Sequence, residues 1–386
     1  MGNPHAYLDY LKDEKMIQAA ESVRRVDEAG YLYYMESEWD YSQIPEKFMP
    51  IFDTGCSTFF RKNLEGEPVM YRNYDYRHYY HGDRSTELTA CGLVVKSANP
   101  KAKYRSIGVA DAFWLDRYKQ EIVGGSLDDG KTDISAVVLA PYVCMDGMNE
   151  AGLTVSIMAL GVDSDWNEIA YEEGCELLKS NKKNNFEFDE AGVIPSRKEK
   201  RSEIGSVAVN HADKKAWTCS MKLPKQNNAG RPTIMHTMLM RAMLDRCANV
   251  DEAVELTMMH NIVSAIPGSD FHLLIGDAQG KSVVIEFVGD ETKVINTDYC
   301  TNYFLSYDDG YRDKDRRYEV LGMGLERFYD GIREDYATTL LSLVKQDPTN
   351  GYDRSKTLTT SIYHTQQKTL RVFAMGDFTK PYDFSL

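Results

Sequence analysis

The chain of 386 residues has no C-x-x-C pair and no Cys/His cluster at zinc-ligand spacing, although it holds seven cysteines, at positions 56, 91, 144, 175, 219, 247 and 300. An odd count at such spacings argues against both a disulfide scaffold and a structural zinc site. Positive charge is also short: 45 Lys and Arg against 59 Asp and Glu leave a formal net charge of −14. That sign is wrong for neutralising a phosphate backbone, so no nucleic-acid partner is expected. No apolar run approaches the roughly 20 residues that cross a bilayer, and residues 1–24 are charged and amphipathic without a signal-like apolar stretch. No membrane span is expected; localisation is left open, with a cytoplasmic place expected of the sequence as it stands and export if a leader has been removed. Gly 27 and Pro 12 are too few for a low-complexity chain, and 42% hydrophobic with 27% charged residues is ordinary folded composition.

Apolar residues at three- and four-residue steps over 7–29 (Leu8, Leu11, Met16, Ile17, Ala20, Val23, Val26) predict one amphipathic helix or two short ones. Downstream, four segments read as antiparallel hairpins: 57–76, 134–160, 271–288 and 358–375, turning near Gly66, Gly152, Gly280 and Gln367. Helical patterns lie between them, over 233–246, over 250–260 with Asn249 as cap, and over 335–346. Hairpins with separate helices make an α+β pattern. Residues 162–231 are charged and poorly periodic, and read as an insertion, either a solvated decoration or a lid over a cleft.

Chemistry concentrates at Gly55-Cys56-Ser57-Thr58, at the mouth of the first hairpin, whose return strand carries Arg72-Asn73-Tyr74-Asp75. A lone Cys before a strand is commonly a small buried hydrophobe. A hairpin, however, brings a guanidinium and a carboxylate back beside this thiol, and an adjacent cation favours the thiolate that attacks. The eight histidines are scattered, with no phrase typical of a Cys-His protease.

This ensemble resembles the choloylglycine hydrolase, or linear-amide C-N hydrolase, family of N-terminal-nucleophile enzymes, which includes bile salt hydrolases, penicillin V acylases and, more distantly, acid ceramidase. The family's Arg and Asp follow its Cys by sixteen and nineteen residues in a G-R-N-x-D phrase; here Arg72 and Asp75 stand at those offsets from Cys56, with Tyr71 in place of the usual Gly. Asp146 to Leu153 resembles its D-G-x-N-E-x-G-L hairpin, and Asp277 to Glu286 its D-x-x-G-K-S-x-V-x-E strand. Thr301-Asn302 resembles its T-N pair, and Asp315-Arg316-Arg317 the phrase supplying a second active-site arginine, Arg317 being favoured over Arg316 by a close margin. The Asn149 and Asp277 phrases also read as plain turn chemistry and are taken as fold markers.

The resemblance implies a four-layer αββα sandwich with two antiparallel sheets, and no cofactor or metal. It implies that residues 1–55 form a helical propeptide and 56–386 the hydrolase domain, the Gly55-Cys56 bond being cut by an N-to-S acyl shift; an extension that stays attached is the alternative. Cys56 would then be nucleophile through its sulfur and base through its α-amine, with Asp75 orienting the amine and Arg72 favouring thiolate. Asn302 and the backbone N–H of Ala159 would hold the oxyanion, and Arg317 would support the nucleophile or a substrate polar group. Bile-salt-cleaving members carry Asn where this chain has Ala159, so the N-acyl amide substrate is left open. An acyltransferase on the same fold, or a non-catalytic binding protein, are the other readings. Relatives are often homo-oligomers, which places self-association among the expected partners.

Overall fold

The computed structural model describes residues 13–41, 55–77, 92–112, 115, 127, 135–160, 186–188, 195–197, 226–263, 270–308, 315–347 and 355–386. In chain order these form α1 (Glu14–Glu21), β1 (Arg24–Arg25), β2 (Leu32–Ser37), β3 (Gly55–Lys62), β4 (Pro68–Arg77), β5 (Gly92–Ser97) and β6 (Ser106–Asp111). A 3-10 helix over Ser135–Tyr142 precedes β7 (Cys144–Asn149) and β8 (Thr154–Leu160). Then come the small strands β9 (Phe186–Phe188), β10 (Pro195–Arg197) and β11 (Thr233–Met235), the helices α2 (His236–Arg246) and α3 (Val250–Met258), and β12 (Asn261–Val263). The chain closes with β13 (Asp270–Gly276), β14 (Ser282–Val288), β15 (Glu291–Ile295), β16 (Tyr299–Cys300), α4 (Arg316–Leu325), α5 (Glu334–Leu343), β17 (Ser355–His364), β18 (Thr369–Ala374) and β19 (Tyr382–Ser385).

Two sheets carry the architecture. Nine strands run in the order β1-β2-β5-β6-β7-β8-β13-β14-β15, and six in the order β16-β3-β4-β17-β18-β19. The sheets face each other through β3, which packs on β8 and β13, while α2 and α3 cover the nine-stranded sheet and α4 and α5 the six-stranded one. This is the expected four-layer αββα sandwich. Strand alternation sorts its side chains between layers: Cys56, Phe60, Met70 and Tyr74 join the central core, whereas Phe59, Val69 and Tyr71 join a second cluster with Leu321, Leu325, Leu340 and Leu341 of α4 and α5. The sheets approach closely at Gly276, where a Cβ would stand 2.3 Å from the Phe60 ring.

The N-terminal region differs from the helix expected over 7–29. Residues 7–12 lie outside the described residues; α1 is capped at its start by Asp13, whose side chain accepts from the Lys15 N–H, and at its end by Ser22. A turn follows in which the Asp27 carboxylate accepts from the Leu32 N–H and Gly30 adopts φ +79°. The chain then enters β2, a Leu-Tyr-Tyr-Met run suited to a pleated surface, which lies parallel to β5 inside the nine-stranded sheet. That is the parallel pair in an otherwise antiparallel sheet, and the described part of residues 1–55 is therefore strand as well as helix.

Smaller corrections have local causes. The apolar run 135–142 is a buried 3-10 helix rather than a strand, an ambiguity that periodicity cannot resolve for short apolar runs. Residues 233–235 are a strand leading into α2. Asn249 caps α3 as expected, its side chain accepting from the Glu252 N–H. Of the expected insertion 162–231, the described residues are 186–188 and 195–197, which pair as β9 and β10, and 226–231.

Candidate active site

The first hairpin pairs Gly55 with Asp75, Cys56 with Tyr74 and Thr58 with Arg72. Cys56, Tyr74 and Arg72 thus point to one face, into the sandwich, and Asp75 to the other, toward the layer of α4 and α5. Arg72 is fully buried and Nη2 donates to Cys56 Sγ at 2.8 Å and to the Ile157 carbonyl at 2.7 Å. Nη1 donates to Asp146, which also accepts from the Tyr363 hydroxyl. Burial pulls the Arg72 pKa down, but the Cys56 and Asp146 charges and their hydrogen bonds outweigh it and hold it above the ordinary value. A buried guanidinium with a carboxylate on one prong and a sulfur on the other is a fixed cation at the thiol.

Three other described cysteines have a different environment. Burial pushes the Cys144 and Cys247 thiols up to about 12, and raises Cys300 as well. Among the described residues, Cys56 is the cysteine whose sulfur receives a guanidinium hydrogen bond.

The other half of Cys56, its backbone nitrogen, is held separately. Its N–H donates to Asn302 Oδ1 at 2.9 Å, and the same oxygen receives Arg317 Nη2 at 2.7 Å. With two donors on Oδ1, the Asn302 amide nitrogen turns toward β8 and donates to the Ala159 carbonyl at 2.6 Å. The Asn302 oxygen therefore faces the Cys56 nitrogen. Ala159 itself lies beyond the last residue of β8 paired with β7, Ser156. A strand residue's N–H and C=O project to the same edge, so the Ala159 N–H shares the edge on which its carbonyl meets Asn302.

Asp75 lies on the opposite face of β4 from Arg72. Its carboxylate accepts from Arg317 Nη1, on Oδ2, at 2.9 Å. Positions 72 and 75 differ by an odd number, so they cannot share a face. Its other oxygen accepts from the Thr357 hydroxyl. Burial raises the Asp75 carboxyl to about 6, against the lowering effects of Arg317, the Thr357 hydrogen bond and Arg72. Arg317, at the first turn of α4, is oriented by Asp315, which accepts from its Nε and Nη2, each at 2.9 Å. Arg316 makes none of these contacts; Arg317 is the arginine in the site.

The structure therefore brings Cys56, Arg72, Asn302, Arg317, Asp75 and Ala159 into one connected cluster, with Gly55 adjoining. Sequence reasoning missed Asp146, Asp315 and Thr357, and a buried pair behind Asn302. His272 and Glu286 face each other across β13 and β14; His272 Nε2 lies 2.8 Å from the Thr301 carbonyl, and Glu286 accepts from the Leu305 and Ser306 N–H groups. Asp146 and Glu286 stood inside quoted phrases, and their signal was a carboxylate in an otherwise apolar strand. Tyr79, Tyr80, Phe113 and Trp114, aromatics that could line a pocket, lie outside the described residues.

Because Arg72 and Asp146 are a fully buried pair, Asp146→Ala leaves an uncompensated cation; a loss of roughly 3–5 kcal/mol is expected, read by urea unfolding. Unchanged stability would show that the pair carries no such weight.

Residues 216–377 match the family model described as acyl-coenzyme A:6-aminopenicillanic acid acyl-transferase. The match spans the Asp277, Thr301 and Asp315 phrases, so it and the resemblance read from the motifs meet on the same residues. No curated protein matches the chain. Solved structures similar to it include variants of conjugated bile acid hydrolase from Clostridium perfringens, one at 13% identity and TM-score 0.45 and another at 14% and 0.46, each match covering 86% of this chain and 92% of that one. Penicillin V acylase from Agrobacterium tumefaciens is similar at 13% identity and TM-score 0.43, with 85% of both chains covered. Among the described residues no helix is long and apolar enough to cross a membrane.

Proposed function

We propose that the chain is a precursor of an amidohydrolase that cleaves a linear C–N amide of an N-acyl substrate, using Cys56 as an N-terminal nucleophile once the Gly55–Cys56 bond is cut. The observation that carries this reading is that both chemical groups of one residue are separately held: the sulfur by Arg72 at 2.8 Å and the nitrogen by Asn302 at 2.9 Å. A structural cysteine needs no guanidinium at its sulfur, and its backbone N–H is ordinarily met by a main-chain carbonyl rather than a side chain held by an arginine.

In the activation step, Cys56 sulfur attacks the Gly55 carbonyl; the C–N bond breaks, and the nitrogen takes a proton to become an amine. Water then hydrolyses the thioester, leaving a Gly55 carboxylate and a free thiol. In turnover the amine, with an unperturbed pKa of about 8, takes the thiol proton as sulfur adds to the substrate carbonyl, and returns it to the leaving amine. Asn302 keeps that amine in register through its oxygen. The Ala159 N–H and the second hydrogen of the Asn302 amide are the oxyanion donors of this scheme. Arg72 stabilises the thiolate, and Asp75 holds Arg317, which holds Asn302.

Mass spectrometry of the purified protein, followed by a panel of N-acyl amides, tests the reading. A fragment beginning at Cys56 and release of a free acid are expected; turnover by a chain that stays intact would refute activation by cleavage. The family match favours one second reading, in which an amine replaces water as acyl acceptor; N-acyl products formed when amines are added would establish it.

A pH dependence follows from Asp75. Its ionised form accepts from Arg317, so turnover should fall as pH drops through about 6. Stability moves the opposite way. The native carboxyl binds its proton more tightly than the ordinary 3.8, so this group's contribution is complete below that value and is lost as pH rises to about 6. In Asp75→Asn the fall of turnover near pH 6 and the loss of stability between pH 3.8 and about 6 should both vanish; either one persisting would remove the assignment.

A further inference from the structure

We propose that Thr357 is a positioning residue for this chemistry: its hydroxyl, aimed by the Gln346 backbone N–H, fixes the Asp75 carboxylate so that its other oxygen meets Arg317. The inference rests on the amidohydrolase reading of the same site and adds a member to it.

The argument begins with an irregularity in β17. Along its pairing with β4 the register slips between Thr357 and Thr359, so that Thr357 lies opposite Asp75 and Thr359 opposite Tyr74. In a regular strand positions 357 and 359 would share a face. The bulge, with Leu358 as the extra residue, places them against adjacent residues of β4 that face opposite ways, and so Thr357 comes to lie on the face of Asp75. Bulges beside active sites re-aim a side chain in this manner. The bulge is pinned from behind: the Met375 N–H donates to the Leu358 carbonyl at 2.7 Å, and Met375 itself is held at φ +54°.

The direction of the hydroxyl proton is then decided by its partners. Gln346 N–H donates to Thr357 Oγ1 at 2.9 Å, while the Thr357 N–H donates to the Gln346 carbonyl at 2.9 Å. A hydroxyl has one proton; with a donor already at its oxygen, that proton goes to Asp75 Oδ1. Thr357 is fully buried, and so is Asp75. The charged groups facing Asp75 are Arg317 and Asp315 from α4 and its approach, with Thr357 the polar neighbour on β17; Arg72, on the opposite face of the same strand, acts on it through its charge. From Gln346 to Cys56 the contacts run without a break: backbone amide, Thr357, Asp75, Arg317, Asn302, Cys56 nitrogen.

The test separates hydroxyl from methyl. Thr357→Val keeps the shape and removes the donor; Thr357→Ser keeps the donor and removes the methyl. The titration of Asp75 is followed by its side-chain carboxyl 13C resonance, assigned by its loss in Asp75→Asn, in the uncut Cys56→Ala chain. Thr357→Val is expected to raise the midpoint by about one pH unit, the size of a hydrogen bond to a charged group, and Thr357→Ser to leave it in place. In the active protein the Val variant should lose roughly tenfold in kcat with KM little changed, its acid limb moving up with the Asp75 midpoint, and the Ser variant should restore both. If Val does not fold, Thr357→Cys, a weaker donor of similar size, should raise the midpoint by a smaller amount. A midpoint unmoved in Val or Cys, or moved equally in Ser, overturns the proposal. The carboxyl titration needs no turnover, so an absence of amide hydrolysis would sink the amidohydrolase reading while this measurement still decides Thr357.

Discussion

Cys56→Ala is expected to leave the protein in one piece, at the 44.0 kDa of the full chain, and without amide turnover. One atom does both jobs in the proposed scheme, since the sulfur that opens the Gly55 carbonyl is the sulfur that later attacks substrate. The substitution is also mild for the fold. Arg72 keeps Asp146 and the Ile157 carbonyl as partners, and the lost volume is a single sulfur in the central core. Loss of a nucleophile typically costs on the order of 10⁴-fold or more in turnover, far beyond any effect of slight destabilisation. Intact-mass measurement and a melting curve check the two halves together. A fragment starting at residue 56 in the alanine variant, or residual hydrolysis near the normal rate, would remove the sulfur from the mechanism. Asn302→Ala should instead slow turnover by roughly a hundredfold or more, since it removes a support and leaves the nucleophile in place.

The second large effect concerns what becomes of the segment before Cys56. Cleavage is expected to leave it bound: both pieces should elute together from a sizing column and separate in denaturant. A chain expressed from Cys56 onward should fail to fold. Leu32, Tyr33, Tyr34 and Met35 are buried in β2, with exposures of 0%, 1%, 5% and 0%. At about 1.5–3 kcal/mol for each such side chain the four together reach roughly 6–12 kcal/mol, comparable with the whole stability of an ordinary domain. β2 also occupies the edge of β5 with a six-residue parallel ladder. A propeptide that merely plugged the site would leave the sheet complete on departure; removing this one uncovers the backbone of β5. A stable, active chain lacking residues 1–55 would overturn the expectation.

How much of this was legible beforehand depends on the distance along the chain over which each feature is decided. The hairpin that brings Arg72 to Cys56 is local: alternating strands and a turn at Gly66 suffice. Asn302 and Arg317 were found through their phrases, because nothing local says that residue 302 will meet residue 56. The face of the Asp75 side chain was readable from parity alone, whereas its meeting with Arg317 was not. Thr357 was out of reach, since its orientation depends on a bulge. α4 carries Gly322 and Gly324 inside the helix, residues that cost about 1 kcal/mol each in a helix interior. They are there for packing: a Cβ at Gly322 would stand 3.0 Å from the Tyr299 hydroxyl, and one at Gly324 2.6 Å from Leu340. β2 was hidden for a related reason, because its partner β5 begins sixty residues later, just as the helical period of α1 was carried past Glu21 through β1.

The seat of β2 between β1 and β5 also decides how the molecule can be repaired. An intact chain that melts can recover its native state by itself, at a rate independent of dilution. Once severed before Cys56, the two strands that must lie side by side belong to separate molecules. Their reunion becomes a collision, with a yield that falls as the sample is diluted and a midpoint of denaturation that depends on protein concentration. Maturation of such an enzyme would be a one-way commitment, made while the uncut chain still holds the pieces in register.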